Sequence, residues 1–311
     1  MNGKLVTLIG GGGFLGRYMA QDLLKAGARL RIAQRDPRGA MFLRTQGGLG
    51  QTQFAAIDVT KPESIARAID GSDAVVNLVG VLKGNFHAVQ AEGAGNVARA
   101  AAAAGVGALV HVSAIGADAA SSSAYGRSKA AGEEAVRATF PTATILRPSI
   151  VFGREDQFVN RFAGMIASAP VVPVLRAGTK FQPVYVDDVA KAAGRALADP
   201  EQFGGQTFEL GGPDVLTMGA LIRWIAQAIG RTPNIIEIPD IAGALIARAG
   251  FLPGAPITMD QWKMLQSDNV VTGADGLAAF GITPTPLDAV APAWLVRYRR
   301  QGRFGVVTDG A

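Results

Sequence analysis

Residues 4–27 read KLVTLIGGGGFLGRYMAQDLLKAG. A short β-branched run (4–9) meets four glycines and then a stretch with helical spacing (14–27) that closes on Gly27. Gly10, Gly13 and Gly16 form G-x-x-G-x-x-G. At a strand-to-helix turn the first glycine permits a tight turn and the second lets the backbone approach a pyrophosphate. The third lets helix and strand pack closely. The helix N-terminus then presents free N–H groups to the phosphates. The pattern alone is weak, because 40 glycines in 311 residues supply roughly 0.6 chance matches. Its setting, strand before and amphipathic helix after, carries the reading of a phosphate cradle over that of a flexible turn.

The alternation continues downstream. RLRIAQR (29–35), QFAAIDV (53–59), DAVVNLVG (73–80) and ALVHVSA (108–114) read as strands. PESIARAID (62–70) and a long alanine-rich segment reaching about residue 104 read as helices. Runs that are apolar throughout, such as AVVNLV, suit a sheet covered on both faces. This order implies right-handed βαβ units and an α/β fold, a Rossmann-type doubly wound parallel sheet. Beyond residue 150 Pro and Gly punctuate the chain, as in SAPVVPVLRAG (168–178) and AGFLPGAPI (249–257). We expect a nucleotide domain over residues 1–153, rejoined by 181–200, and a smaller irregular α/β lobe over 154–311.

Composition narrows the chemistry. Apolar residues make up 49% and charged residues 18%, which argues for a packed globular chain and against disorder. With no cysteine and only His87 and His111, thiol catalysis and Fe–S ligation are excluded and a metal site is not expected. The opening MNGKLVTLIGG lacks the form of a signal peptide, and no apolar run is long enough to span a bilayer. The chain reads as cytoplasmic. The net charge is +5, and the positive residues are scattered except for arginines at 29, 31, 35 and 38 and at 297, 299, 300 and 303. Neither cluster is interleaved with aromatic platforms, so no nucleic-acid partner is expected.

The tip of the second strand reads Gln34-Arg35-Asp36. A guanidinium there pairs with the 2′-phosphate of NADP(H), which a carboxylate would repel. The alternative leaves Arg35 on the surface and gives the ribose of NAD(H) to Asp36. Asp58 either reads the adenine amino group or caps a helix.

SAYGRSK (123–129) places Tyr125 and Lys129 one helical turn apart. An ammonium beside a phenol is expected to draw the tyrosine pKa toward neutrality. Such a tyrosine can exchange a proton with a carbonyl or hydroxyl while a nicotinamide exchanges hydride. Ser113, at the end of the fifth strand, would bond the same oxygen.

GGGGFLG, NLVG (77–80), HVSA (111–114), YGRSK (125–129) and RPSIVFG (147–153), in that order, resemble the short-chain dehydrogenase/reductase superfamily in its extended or atypical branch. Three longer blocks, 121–141, 147–165 and 181–192, resemble the nucleotide-binding accessory subunits of respiratory complex I of the alpha-subcomplex subunit nine type and their bacterial relatives. The superfamily resemblance implies Ser113, Tyr125 and Lys129 as catalytic groups. It implies cofactor contacts from Gly10, Gly13, Phe14, Leu15, Gly16, Arg35, Asp58, Val59, Leu78, Val79, Gly80, Tyr125, Lys129 and Pro148. The nearer resemblance implies a tightly held NADPH of largely structural role, complex I subunits as partners and peripheral contact with the inner face of a membrane. Two positions depart from the extended pattern: Gln90 stands for its helix Asn and Ile9 for the threonine before the first glycine.

Other residues read more plainly. His111, Trp262 and Trp294 are expected to pack, and Asp187 and Asp188 to cap a helix. The PDIAGALIARAGFL stretch (239–252) is either a core helix of the small lobe or a surface for membrane or a partner. Two functions compete: a nucleotide-holding accessory or assembly subunit, and a free-standing NAD(P)-dependent oxidoreductase, epimerase or dehydratase acting on a small molecule such as a sugar nucleotide. A third, a redox-sensing regulator, has no need of Tyr125 and Lys129.

Overall fold

A computed structural model of the chain describes residues 1–252, 255–274 and 276–300. Arg303, and residues 253 and 254 of the 249–257 stretch, lie outside them. The chain divides into two compact units. The first comprises Met1–Pro148, Val186–Leu210 and Val271–Thr283; the second comprises Ser149–Tyr185, Gly211–Val270 and the described residues from Pro284 onward.

The first unit is built on strands β1 (Leu5–Ile9), β2 (Arg29–Gln34), β3 (Thr52–Ala56), β4 (Ala74–Asn77), β5 (Ala108–Val112) and β6 (Thr144–Pro148). With strand Thr207–Leu210 they form a seven-stranded sheet in the order Thr207–Leu210, β6, β5, β4, β1, β2, β3. Every pairing is parallel. Helices α1 (Phe14–Lys25), α2 (Pro62–Ile69), α3 (Gly93–Ala103) and α4 (Ala124–Thr139), with helix Val186–Ala198, carry the crossovers. All residues of β1, β4 and β5 are buried, Thr7, Asn77 and His111 among them, as suits a sheet covered on both faces. One face packs Ile9, Val75 and Leu109 against Ile65 and Ile69 of α2, Val97 of α3 and Val136 of α4. Each such side chain contributes about 1.5–3 kcal/mol by leaving water.

The alanine-rich segment is not one uniform helix. It opens with a π-helical turn, His87–Glu92, before α3. A Cβ on Gly93, at the junction, would lie 2.9 Å from Val59 Cγ2, so the α3 backbone packs directly onto that side chain.

The second unit has short strand pairs in place of a continuous sheet. Val151–Phe152 pairs with Val184–Tyr185 and Val171–Leu175 with Asn234–Ile238, both parallel, while Lys180–Phe181 and Leu216–Thr217 are antiparallel. Helices Val159–Ser168 and Met218–Ala228 enclose a core of Phe152, Ile166, Val172, Leu221, Ile225 and Trp294. Trp262 packs in a satellite cluster with Ala247 and Ile257. Both tryptophans pack, as their helical spacing suggested.

Candidate functional site

The C-terminal ends of parallel strands collect residues distant in sequence on one edge of the sheet. Gly10 follows β1 and Leu78 follows β4, and the two loops touch: a Cβ on Gly10 would lie 3.5 Å from Leu78 Cβ. Gly10 has φ +82°, a left-handed turn that favours glycine. Gly16 is required for a different reason, since a Cβ there would sit 2.4 Å from the Gly11 carbonyl oxygen. At Gly13 the nearest atom to such a Cβ is the Gly10 carbonyl oxygen at 3.2 Å. Phe14 and Leu15 occupy the first turn of α1, where N–H groups lack intrahelical acceptors. Glycine backbone and open helix end together fit a pyrophosphate.

Gln34, at the tip of β2 and given no role by the sequence, braces this loop. The Gly12 N–H donates to its Oε1 at 3.0 Å, and its Nε2 donates to the Asp36 carbonyl at 2.6 Å. Asp36 is itself engaged: its carboxylate accepts the Arg38 N–H at 3.0 Å and caps a 3₁₀ helix, Pro37–Gln46. Arg35 is exposed beside them. The Asp58 carboxylate accepts from both the N–H and the hydroxyl of Thr60, at 3.0 and 2.7 Å. The Thr60 backbone N–H, then its hydroxyl, hold the Asp58 carboxyl below the usual range, aided by Lys61 and Arg35. Lys61, not Asp58, occupies the cap position of α2. Val59 is buried and its carbonyl accepts from Asn96 at 2.9 Å.

Lys129 lies on α4 and is 3% exposed. Its ammonium donates to the Val112 carbonyl at 3.2 Å and stands 6.0 Å from the Tyr125 ring centre. A Cβ on Gly80 would lie 3.4 Å from Lys129 Nζ, so the loop after β4 passes directly alongside. Val79 is fixed by its N–H, which donates to Asn77 Oδ1 at 3.1 Å. Ser113 follows Val112; its hydroxyl is buried and has no partner among the described residues. Pro148 closes β6, and its carbonyl accepts the Ile115 N–H at 3.1 Å. Helix α4 starts where the sequence puts it, because the Ser123 hydroxyl accepts the Gly126 N–H as an N-cap.

The electrostatics differ from the expectation drawn from spacing. Burial pushes the Tyr125 phenol up to about 12. Burial also pulls the Lys129 ammonium down to about 8, against the attraction of Glu133. Lys129 is directed to the Val112 carbonyl, so it does not bring Tyr125 toward neutrality in the folded chain. His111 packs as expected, but polar groups hold it. Asn77 Oδ1 accepts from Val79, which turns Nδ2 toward His111 Nδ1 at 3.2 Å. Nδ1 then accepts and the ring proton resides on Nε2. Burial, with Lys129 and Arg137 nearby, lowers His111 to about 3, and the ring is neutral. Asn77 was legible as the one polar side chain in an apolar strand.

Other sequence readings resolve away from this edge. His87 and Glu92 form an exposed pair at 3.3 Å. Asp187 and Asp188 lie in the first turn of helix Val186–Ala198, where Asp187 pairs with Lys191 at 2.8 Å. The 239–252 stretch is not a core helix. Helix Asp240–Arg248 buries Gly243 and Ala247, while Ile241, Leu245, Phe251 and Leu252 are exposed. Among the described residues no cluster of His, Cys, Asp and Glu could hold a metal, and no helix is long and apolar enough to cross a membrane.

Comparison with known proteins agrees with this architecture. The family model described as the NAD dependent epimerase/dehydratase family matches residues 6–211. The chain is 37% identical over 309 residues to the Mus musculus protein NADH dehydrogenase (ubiquinone) 1 alpha subcomplex subunit 9, mitochondrial, covering 96% of this chain and 81% of that protein. It is 30% identical over 261 residues to ceramide reductase of Caulobacter vibrioides, covering 81% of this chain and 80% of that protein. In fold it is similar to Citrobacter sp. triphenylmethane reductase complexed with NADP(H), with a TM-score of 0.77 at 20% identity, over 93% of this chain and 99% of that one. The chain belongs to the NAD dependent epimerase/dehydratase family, within the extended short-chain dehydrogenase/reductases, and across most of its length its relatives include the alpha subcomplex subunit 9 proteins of complex I.

Proposed function

We propose that the chain holds NADP(H) along this strand edge as a largely structural ligand and serves as an accessory or assembly subunit of a complex I-type enzyme. The observation that carries the reading is Lys129. An ammonium only 3% exposed, with one main-chain carbonyl as its hydrogen-bond partner among the described residues, is costly to the fold. The ribose hydroxyls of a nucleotide lying along Gly80 would offset that cost. Gly10, Gly13, Phe14, Leu15 and Gly16 would hold the pyrophosphate, Arg35 the 2′-phosphate, and Asp58 and Val59 the adenine side. Leu78, Val79, Gly80 and Pro148 would line the nicotinamide end. When bound, the nicotinamide supplies or accepts hydride. Ser113 and Tyr125 would face the reacting oxygen, with Tyr125 protonated and suited to donate.

Titration with both reduced cofactors, followed by nucleotide fluorescence, tests the choice of ligand. NADPH should bind at least tenfold more tightly than NADH, and Arg35→Ala should remove most of that difference, since a charge-assisted pair contributes about 1.5–3 kcal/mol. Equal binding of the two, unchanged in the variant, would sink the NADP(H) assignment.

Ser113, Tyr125 and Lys129 are all present, and one relative is named a ceramide reductase. These favour a second reading, an NAD(P)-dependent oxidoreductase acting on its own substrate. For the accessory reading, the exposed apolar side chains of residues 241–252 would form a peripheral contact with a membrane or a membrane complex.

A further inference from the structure

We propose that Gln90 is a positioning residue for the nicotinamide end of the site, an inference that rests on the nucleotide reading above. Gln90 is 2% exposed and lies in the π-helical turn His87–Glu92, a local widening of the kind often found at functional sites. Its side chain bridges two elements. Oε1 accepts the Val81 N–H, in the loop after β4, at 3.0 Å. Nε2 donates to the Ser128 hydroxyl on α4 at 2.8 Å. That hydroxyl donates in turn to the Tyr125 carbonyl at 2.8 Å.

The main chain of Gln90 is pinned as well. A Cβ on Gly132 would lie 2.2 Å from its carbonyl oxygen, so α4 approaches this turn as closely as backbone allows. Gly80 lies against the same bridge, since its Cβ would stand 3.6 Å from Gln90 Oε1 and 3.4 Å from Lys129 Nζ. The bridge therefore sets the gap between the Gly80 loop and the Lys129 ammonium. It is neutral and hydrogen-bonded at both its oxygen and its nitrogen, so it fixes geometry without titrating. Gln90 touches no reacting atom on this account and acts through Lys129 and Tyr125.

Gln90→Met fills a similar volume and removes both hydrogen bonds. Its affinity for NADPH should fall about tenfold. Its affinity for 2′,5′-ADP, which carries the adenine half and no nicotinamide, should be unchanged. Gln90→Glu, kept protonated by burial, keeps an acceptor for the Val81 N–H and donates its O–H to the Ser128 hydroxyl, and it should restore most of the NADPH affinity. Ser128→Ala cuts the bridge from α4 without disturbing the π-helical turn, and should cost about threefold to fivefold for NADPH alone. Equal losses for the two ligands, or no loss in either variant, would overturn the positioning role. If the unaltered protein binds neither ligand, the nucleotide reading itself falls and this inference with it.

Discussion

Lys129 concentrates the tension between stability and function in one side chain. An ordinary lysine titrates at 10.5, and here burial lowers the value to about 8. The folded chain thus binds this proton less tightly than the unfolded chain. The penalty is fully present below pH 8 and is relieved as pH rises from about 8 to 10.5, amounting to about 3 kcal/mol at pH 7. Lys129→Met should therefore raise the melting temperature of the nucleotide-free protein at pH 7 and narrow its advantage over the unaltered protein near pH 10. The same variant should bind NADPH at least tenfold more weakly. Loss of stability together with unchanged affinity would mean that Lys129 is a structural group. Tyr125→Phe should leave affinity unchanged; if it abolishes a measurable reductase or epimerase rate on a physiological substrate, the oxidoreductase reading stands. The spacing of Tyr125 and Lys129 was legible because a helical turn is a local property. The direction of the tyrosine shift was not, because it depends on burial and on the Val112 carbonyl that faces the ammonium.

At the scale of elements, the glycine loop separates folding from binding. Gly16→Ala drives a methyl into the Gly11 backbone, which cannot move without unseating α1 from β1. It should destabilise the protein by about 1–3 kcal/mol, read as a lower melting temperature. Gly13→Val meets only the Gly10 carbonyl at 3.2 Å at its Cβ. It should fold with a melting temperature close to that of the unaltered protein and fail to retain nucleotide. A Gly13→Val protein that copurifies with nucleotide would show that the loop is not the cradle. Strand and helix order in this half was readable from period and punctuation. The π-helical turn His87–Glu92 was not, since alanine-rich sequence gives no register signal; the turn is tied by Gln90 to Val81 and Ser128.

At the scale of the whole molecule, the unassigned feature is the apolar surface of residues 241–252. Ile241 is 82% and Phe251 83% exposed. If these side chains meet a membrane or a membrane complex, native fractionation at low salt should place the protein with membranes or in a large complex. Ile241→Ser with Phe251→Ser should release it without lowering its melting temperature. A protein that is wholly soluble at both low and high salt and runs alone on a native gel would favour the free-standing oxidoreductase. The sequence left this stretch open between core and surface because an amphipathic pattern identifies an apolar side and not what covers it.

The sequence by itself determined the α/β class, the parallel sheet and the family. Each rests on information local to a short stretch: apolar runs, glycine spacing, a tyrosine and lysine one turn apart. Tertiary structure alone decided which polar groups meet. Gln34 on Gly12, Asn77 on His111, Lys129 on Val112 and Gln90 between Val81 and Ser128 are contacts between residues 9 to 38 positions apart. Proximity of that kind is set by strand order and helix packing, and burial then sets the charge each group can carry.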